Sequence, residues 1–120
     1  MLKIIVAGSR TVLDEKKVFL ELDKLRSRIG DFTVISGLAK GVDTLGKLWA
    51  IKNKLPVEEY PAKWTKYRNS AGIIRNKEMA KIADGLIAFW DGQSKGTKSM
   101  IDLMQKRGGL VEIIMCEKTH

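Results

Sequence analysis

The sequence predicts an α/β fold in which a five-stranded, mainly parallel sheet lies between two layers of helices. Apolar, β-branched runs alternate with helix-like stretches along all 120 residues. Glycine-containing turns follow three of these runs. Strands that alternate with helices are joined by right-handed crossovers, which place them parallel in one sheet with helices on both faces. The sequence therefore predicts a three-layer sandwich.

Five apolar runs are the predicted strands, and they comprise residues 2–7, 32–35, 57–60, 86–90 and 110–116. We expect the strand order 3-2-1-4-5. In such sheets, ligands bind beyond the carboxyl ends of the strands, where the strand order reverses. The expected site is therefore the crevice between the first and fourth strands, and all three glycine turns follow strands at that edge.

Four helices are predicted, over residues 13–29, 42–54, 71–82 and 97–106, with a loop over 61–70. Asp14 and Glu15 suit the positive N-terminal end of the first helix, and Gly30 ends it. Apolar residues at helical spacing predict the core-facing side chains. These are Val18, Leu22, Leu25 and Ile29 in the first helix, Leu45, Leu48, Trp49 and Ile51 in the second, and Ile74, Met79 and Ile82 in the third.

The length suits a single domain over residues 1–120, and 44% apolar residues argue against disorder. No apolar run approaches the roughly 20 residues that span a bilayer, so we expect a cytoplasmic protein without a membrane partner. The one cysteine, Cys116, lies in a predicted strand and is expected to be a buried thiol. His120 ends the chain, and we expect neither a metal site nor a cofactor.

The charge balance is 22 Lys and Arg against 14 Asp and Glu, a net charge of +8. A basic surface is typical of proteins that bind nucleic acid. The lysines are scattered over the predicted helices rather than gathered in one run, so an anionic small molecule explains the same excess.

The first glycine turn, Gly8-Ser9-Arg10, follows the first strand. One interpretation is a tight strand-to-helix turn, for which glycine is the usual residue. The other places Arg10 beside a phosphate, to which its planar guanidinium donates two hydrogen bonds.

The second turn follows the second strand and is the most specific of the three. Gly37 and Gly41 give the backbone freedom to approach a phosphate, while Ser36 adds a hydroxyl group and Lys40 a positive charge. We expect Gly41→Val to abolish binding without disturbing the fold. Asp43 has two interpretations: it caps the second helix, or it contacts a ribose hydroxyl or acts as a general base.

The third turn contains Asp91, Gly92, Ser94, Gly96 and Thr97. It is similar to a phosphate-binding loop but lacks the Gly-Lys-Ser/Thr of a Walker A motif, so NTP hydrolysis is not inferred. Thr97 is expected to cap the following helix and to bind phosphate. Asp91 either contacts a hydroxyl group of the ligand or stabilises the turn.

Two aromatic residues, Trp64 and Tyr67, lie in the polar stretch between the second and third turns. They either stack on a base or pack the loop against the sheet. Arg75 and Asn76 lie early in the next predicted helix, where they reach the same crevice or remain on the solvated surface.

These motifs, taken in order, resemble the SLOG superfamily (the Smf/DprA and LOG group), specifically its small YspA/cpYpsA-related branch. The matching segments are Gly8-Ser9-Arg10, residues 36–43, Pro61-x-x-Trp64, Ala71-Gly72-x-x-Arg75-Asn76-x-x-Met79 and residues 84–97. The resemblance implies a Rossmann-like fold and a nucleotide-derived ligand at the carboxyl edge of the sheet. It also implies a homo-oligomer, a dimer or a larger assembly.

The resemblance leaves the activity open. LOG-type phosphoribohydrolases carry a glutamate three residues after the threonine of Gly-Thr, where this chain has Met100. Asp43 and Glu78 are the other candidate carboxylates. DprA proteins share the Ser-Gly-x-Ala-x-Gly-x-Asp turn and bind single strands, but they carry extra domains.

We therefore carry three hypotheses. In the first, the chain binds a nucleotide or nucleotide-derived ligand of the ADP-ribose, NAD or nucleoside-phosphate type, as a sensor, carrier or sequestering protein. In the second, it is an N-glycosidase or (deoxy)ribosyltransferase-like hydrolase with Asp43 as the catalytic carboxylate. In the third, it binds single-stranded nucleic acid, with Trp64 and Tyr67 stacking on bases.

Overall fold

A computed structural model describes residues 1–12 and 14–117 of the chain. Leu13, at the predicted start of the first helix, and His120 lie outside the described residues. Five strands form one sheet with the order β3-β2-β1-β4-β5, and every neighbouring pair is parallel. The strands are β1 (Leu2–Gly8), β2 (Phe32–Ser36), β3 (Val57–Glu59), β4 (Gly85–Trp90) and β5 (Leu110–Met115). The predicted fold class and strand order are confirmed.

The helices of the described residues are α1 (Glu15–Ile29), α2 (Val42–Lys52), α3 (Trp64–Tyr67), α4 (Ala71–Ile82) and α5 (Lys95–Arg107), and a 3₁₀ turn covers Arg68–Ser70. The expected loop over 61–70 is thus partly helical. α5 begins two residues before the predicted start, so Ser94 rather than Thr97 is its N-cap residue. None of these helices is long and apolar enough to cross a membrane.

The ends of α1 follow the sequence signals. The Asp14 carboxylate accepts a hydrogen bond from the N–H group of Lys17 at 3.1 Å, as an N-cap residue does. Gly30 ends the helix with a φ of 84°, in the left-handed region that glycine adopts without strain.

Apolar side chains fill both faces of the sheet. On one face α1 and α2 cover a cluster that includes Val18, Leu22 and Leu25 of α1, and Trp49 stacks on Phe32 with 5.4 Å between ring centroids. On the other face α4 and α5 cover a cluster that includes Met79 and Met100. Cys116 is buried beside β5, which confirms the expected environment of its thiol. Burial raises the pKa of this thiol.

The predicted core face of α2 is partly wrong. Leu48 and Ile51 are 48% and 57% exposed, while Trp49 is buried. The helix approaches the sheet closely at Gly46, where a Cβ atom would lie 2.7 Å from a methyl carbon of Val6. This contact turns the face with Gly46 and Ala50 inward, and Leu48 and Ile51 outward. Ile82, at the end of α4, is also exposed.

Candidate functional site

Two neighbouring cavities lie where β1, β2 and β4 end. The first, the rim cavity, has a volume of about 110 Å³. Its lining residues are Ala7, Gly8, Arg10, Ala39, Asp43, Arg75, Asn76, Met79, Ser94, Gly96, Thr97 and Met100. The second, the Trp64 cavity, has a volume of about 150 Å³ and is lined by Arg10, Gly37, Leu38, Ala39, Pro61, Ala62, Trp64 and Arg75. Because the two share Arg10, Ala39 and Arg75, they adjoin each other.

The three glycine turns converge at the rim cavity. Parallel pairing of β1 with β4 places Gly8 opposite Phe89, so the turns after these strands begin side by side. Of the residues that the sequence singled out, Gly8, Arg10, Asp43, Arg75, Asn76, Ser94, Gly96 and Thr97 line the rim cavity, and Gly37 and Trp64 line the Trp64 cavity.

Six other candidates, Ser9, Ser36, Lys40, Gly41, Asp91 and Gly92, line neither cavity. Ser9 is buried, donates its N–H to the carbonyl oxygen of Phe89 at 3.0 Å, and accepts a hydrogen bond from the N–H of Asp91 through its hydroxyl at 3.1 Å. Ser36 is also buried; its hydroxyl donates to the carbonyl oxygen of Asp43 and accepts from the N–H of Leu38. Both hydroxyl groups hold the loops in place.

Asp91 shapes the third turn. One carboxylate oxygen accepts hydrogen bonds from the N–H groups of Gln93 at 2.9 Å and Ser94 at 2.8 Å, and the other accepts from the hydroxyl of Thr11. Gly92 adopts a φ of 81° within the same turn. Of the two interpretations of Asp91, these contacts support the turn.

Close packing requires glycine at two positions of the site. A Cβ atom on Gly8 would lie 2.6 Å from the carbonyl oxygen of Phe89 and 2.6 Å from a methyl carbon of Val42. Gly41 has a φ of 83°, and a Cβ there would lie 3.1 Å from the carbonyl oxygen of Arg10. The expectation that Gly41→Val spares the fold is therefore wrong, since valine would be strained at this φ and would crowd the neighbouring loop.

Asp43 is a buried carboxylate beside two arginines. It lies in the first turn of α2, whose N-cap residue is Gly41, so the interpretation of Asp43 as the cap is wrong. Its carboxylate instead accepts a hydrogen bond from the N–H of Ala39 in the preceding loop at 3.3 Å. Burial raises the pKa of Asp43 from 3.8 to about 6, and the Ala39 N–H, Arg75, the Gly8 N–H and Arg10 oppose this rise.

Arg75 and Asn76 connect α4 to the loops on either side. Arg75 donates through Nη1 to the carbonyl oxygen of Gly37 at 2.7 Å and through Nε to the Asn76 side chain at 3.2 Å. Asn76 is buried and donates to the carbonyl oxygen of Gly96 at 3.4 Å. The alternative of solvated helix surface is therefore wrong for both. Burial lowers the pKa of Arg75, and the charge of Asp43 opposes this change.

The first turn of α5 borders the rim cavity. The hydroxyl of its N-cap residue, Ser94, accepts no capping hydrogen bond from a backbone N–H of the turn; it accepts instead from the Thr97 hydroxyl at 3.3 Å. The N–H groups of a first helical turn have no partner within the helix and carry partial positive charge. A Cβ on Gly96 would meet no atom within 4 Å. The backbone is therefore open to a ligand at this position.

The two aromatic candidates differ in position. Trp64 opens α3, is 52% exposed and lines the Trp64 cavity. Tyr67 lines neither cavity and has the ammonium group of Lys66 over its ring, 5.0 Å from the centroid. Only Trp64 is placed to stack on a ligand in these cavities.

Four residues that line the rim cavity were not predicted as site residues from the sequence: Ala7, Ala39, Met79 and Met100. The two methionines lie at helical spacing in amphipathic helices, a pattern that predicts only core packing. Glu78 is exposed and lines neither cavity, which leaves Asp43 as the single carboxylate of the rim cavity.

A parallel sheet of order 3-2-1-4-5, covered by helices on both faces and with a crevice at its carboxyl edge, defines a Rossmann-like α/β protein. The model of the YspA, cpYpsA-related SLOG family matches residues 2–67. The chain belongs to this family.

Two solved structures are similar to the chain in fold. One is DNA processing protein A (DprA) from Streptococcus pneumoniae, with a TM-score of 0.74, 20% identity, and coverage of 94% of this chain and 50% of that one. The other is DprA from Helicobacter pylori, described for its single-stranded DNA binding mode, with a TM-score of 0.66, 19% identity, and coverage of 93% and 64%. This chain thus spans half to two thirds of their length. No curated protein sequence matches it.

Proposed function

We propose that residues 1–120 form a nucleotide-ligand-binding domain whose ligand lies in the rim and Trp64 cavities. The phosphate lies between Arg10 and the first turn of α5, and the base lies towards Trp64. The ligand class is a nucleotide or a nucleotide derivative of the ADP-ribose, NAD or nucleoside-phosphate type. Binding of this kind suits a sensor, a carrier or a sequestering protein.

The observation that carries the proposal is the convergence of three loops and α4 on one cavity. Arg10, Arg75 and the N–H groups at the start of α5 supply positive charge and donors there. Asp43 supplies an acceptor suited to a sugar hydroxyl. Together the two cavities approach the about 300 Å³ at which small-molecule sites begin.

Calorimetry against AMP, ADP-ribose, NAD and cyclic AMP tests the proposal. We expect at least one of them to bind, and no heat from any of them at millimolar ligand would overturn it. Gly96→Val is the informative variant, because a side chain on Gly96 has open space and Gly96 lines the cavity. It should block the ligand while the midpoint of thermal unfolding stays near that of the wild type.

Gly96→Ala is the matched control for side-chain size. Alanine is a better helix residue than glycine by up to about 1 kcal/mol, so this variant should unfold at or above the wild-type temperature. Its binding should lie between that of the wild type and that of Gly96→Val. Equal binding by all three proteins would place the ligand elsewhere.

Cleavage or transfer at an N-glycosidic bond is a second candidate, which Asp43 supports. The transition state of that reaction carries positive charge on the sugar, and a carboxylate in the cavity would stabilise it. Chromatography for free base, after incubation with nucleoside monophosphates, is the direct assay. Activity that is unchanged in Asp43→Asn would remove Asp43 from this role.

Binding of single-stranded nucleic acid is a third candidate. It is supported by the net charge of +8 and by the fold shared with the two DprA structures. Contacts to phosphates release counterions, so affinity for an oligonucleotide should fall steeply as salt is added. Binding that is absent or independent of salt would exclude it.

A further inference from the structure

A groove of about 580 Å³, the α5 groove, follows α5 from Trp90 at one end to Lys106 at the other. It is larger than either cavity of the rim and shares no lining residue with the rim cavity. The two are nevertheless neighbours. Ser94 and Gly96 line the rim cavity, whereas Lys95, between them in the chain, lines the groove. The first turn of α5 therefore separates the two.

The α5 groove is positively charged. Lys98 forms an ion pair with Asp102, with its Nζ 2.7 and 2.9 Å from the two carboxylate oxygens, so these charges cancel. Lys95 and Lys106 have no carboxylate partner among residues 1–12 and 14–117. The two lysines lie eleven positions apart in the helix, roughly 16 Å along its axis. Successive phosphates of a B-form strand advance by only about 3.4 Å, so this length accommodates more than one phosphate.

An aromatic ring lies at the end of the groove nearest the rim. Trp90 ends β4 and is partly buried, and its indole N–H donates to the carbonyl oxygen of Ser94 at 3.1 Å. This bond satisfies the one polar group of the side chain and holds the ring in a fixed orientation, and the ring lines the groove. Leu103, also partly buried, adds apolar surface. An aromatic ring beside Lys95, at one end of a groove whose other end holds Lys106, suits a base joined to a phosphate.

We infer that the α5 groove is a second nucleotide subsite, and that the preferred ligand is a phosphate-linked chain of at least two nucleotides. This inference rests on the proposed function, since the first nucleotide occupies the rim and Trp64 cavities. The linking phosphate crosses the first turn of α5 and meets Lys95, and the second base lies on Trp90. A soluble dinucleotide and a single-stranded oligonucleotide share this chemistry.

Calorimetry with four probes tests the inference: dAMP, the dinucleotide pdApdA, the tetranucleotide (dA)₄ and NAD. The wild-type protein should bind pdApdA at least about fivefold more tightly than dAMP, because the second base stacks on Trp90 and the linking phosphate meets Lys95. A further gain with (dA)₄ identifies a strand as the ligand. If NAD binds more tightly than dAMP, and (dA)₄ binds no more tightly than pdApdA, the ligand is a soluble dinucleotide.

The decisive variant is the double change Lys95→Gln with Lys106→Gln, judged by the ratio of the dAMP and pdApdA dissociation constants. The ratio should fall by at least about threefold, because the linking phosphate loses Lys95 while the second base keeps Trp90. An unchanged ratio would overturn the second subsite. The matched control, Lys24→Gln with Lys52→Gln, removes the same charge from α1 and α2 across the sheet and should keep the wild-type ratio. Equal affinity of the wild type for dAMP and pdApdA overturns the second subsite and leaves the proposed function intact. Failure of all four probes, together with no heat from AMP, ADP-ribose or cyclic AMP, overturns the proposed function as well.

Discussion

The guanidinium of Arg75 donates a hydrogen bond of 2.7 Å to the carbonyl oxygen of Gly37, which joins α4 to the loop after β2. Arg75 also borders both cavities and lies beside the buried carboxylate of Asp43. One side chain thus fixes a loop, partly neutralises a buried acid and supplies positive charge to the site.

Arg75→Met should therefore affect stability and binding together. Loss of the bond to Gly37 should lower the free energy of unfolding by about 1–3 kcal/mol, since the bonded donor is charged. Loss of the charge should weaken nucleotide binding by more than about tenfold. Urea unfolding and calorimetry measure the two effects. Arg75→Lys keeps the positive charge but lacks the planar guanidinium, so its affinity for the nucleotide should lie between those of the wild type and Arg75→Met. Equal binding by all three proteins would exclude Arg75 from the site.

Asp43→Asn should change how stability depends on pH. The pKa of Asp43 is about 6 in the folded chain and 3.8 in the unfolded reference, so between these values the folded state binds more protons. Stability from this group is therefore present at low pH and is lost as the pH rises through the window from 3.8 to about 6. At pH 7 the variant should be more stable than the wild type by about 1–3 kcal/mol, and near pH 4 the two proteins should be almost equally stable.

Urea unfolding of both proteins at pH 4, 5, 6 and 7 gives this difference directly. A difference that stays constant across the series would show that Asp43 is not a desolvated acid.

Gly41→Ala should destabilise the fold by about 1–2 kcal/mol, because alanine in the left-handed region is strained. The neighbouring Arg10 carbonyl oxygen, 3.1 Å from the added Cβ, leaves little room for relief. Gly96→Ala, in open space at the start of α5, is the comparison and should not be destabilised. Thermal unfolding separates the two, and equal midpoints would contradict the backbone conformation at Gly41.

Trp64→Ala should weaken the binding of ligands that carry a base and leave the binding of inorganic pyrophosphate unchanged. Base stacking on an aromatic ring contributes about 1–3 kcal/mol, so AMP binding should fall by about fivefold or more. Because Trp64 is half exposed, the free energy of unfolding should change little. Trp64→Phe retains a ring and should recover most of the affinity, whereas equal loss for AMP and pyrophosphate would place the base elsewhere.

The fold was predictable because its signals are local and repeated. Five apolar runs alternating with amphipathic stretches leave few topologies, and Asp14 and Gly30 mark the ends of α1. The helical turn at Trp64 was not predictable, since it has four residues and no side-chain cap. The orientation of Leu48 was missed because it depends on a tertiary contact, the approach of Gly46 to Val6.

For the site, the sequence predicted which loops converge, but it did not predict the role of each residue in those loops. Glycine turns after parallel strands meet at one edge for topological reasons, so their convergence was predictable. Whether Ser9 faces a ligand or a neighbouring strand depends on its bonds to Phe89 and Asp91, which no local pattern encodes. Asp43 has the same difficulty, since its role changes with the residue at which α2 begins.

The two bonds of Ser9 have a further consequence. They hold the ends of β1 and β4, the strands that flank the crevice, together without a bound ligand. The crevice is consequently preformed, and little of the free energy of ligand binding is lost to ordering the protein. Binding at this edge should therefore involve little change in the backbone, and association should be fast.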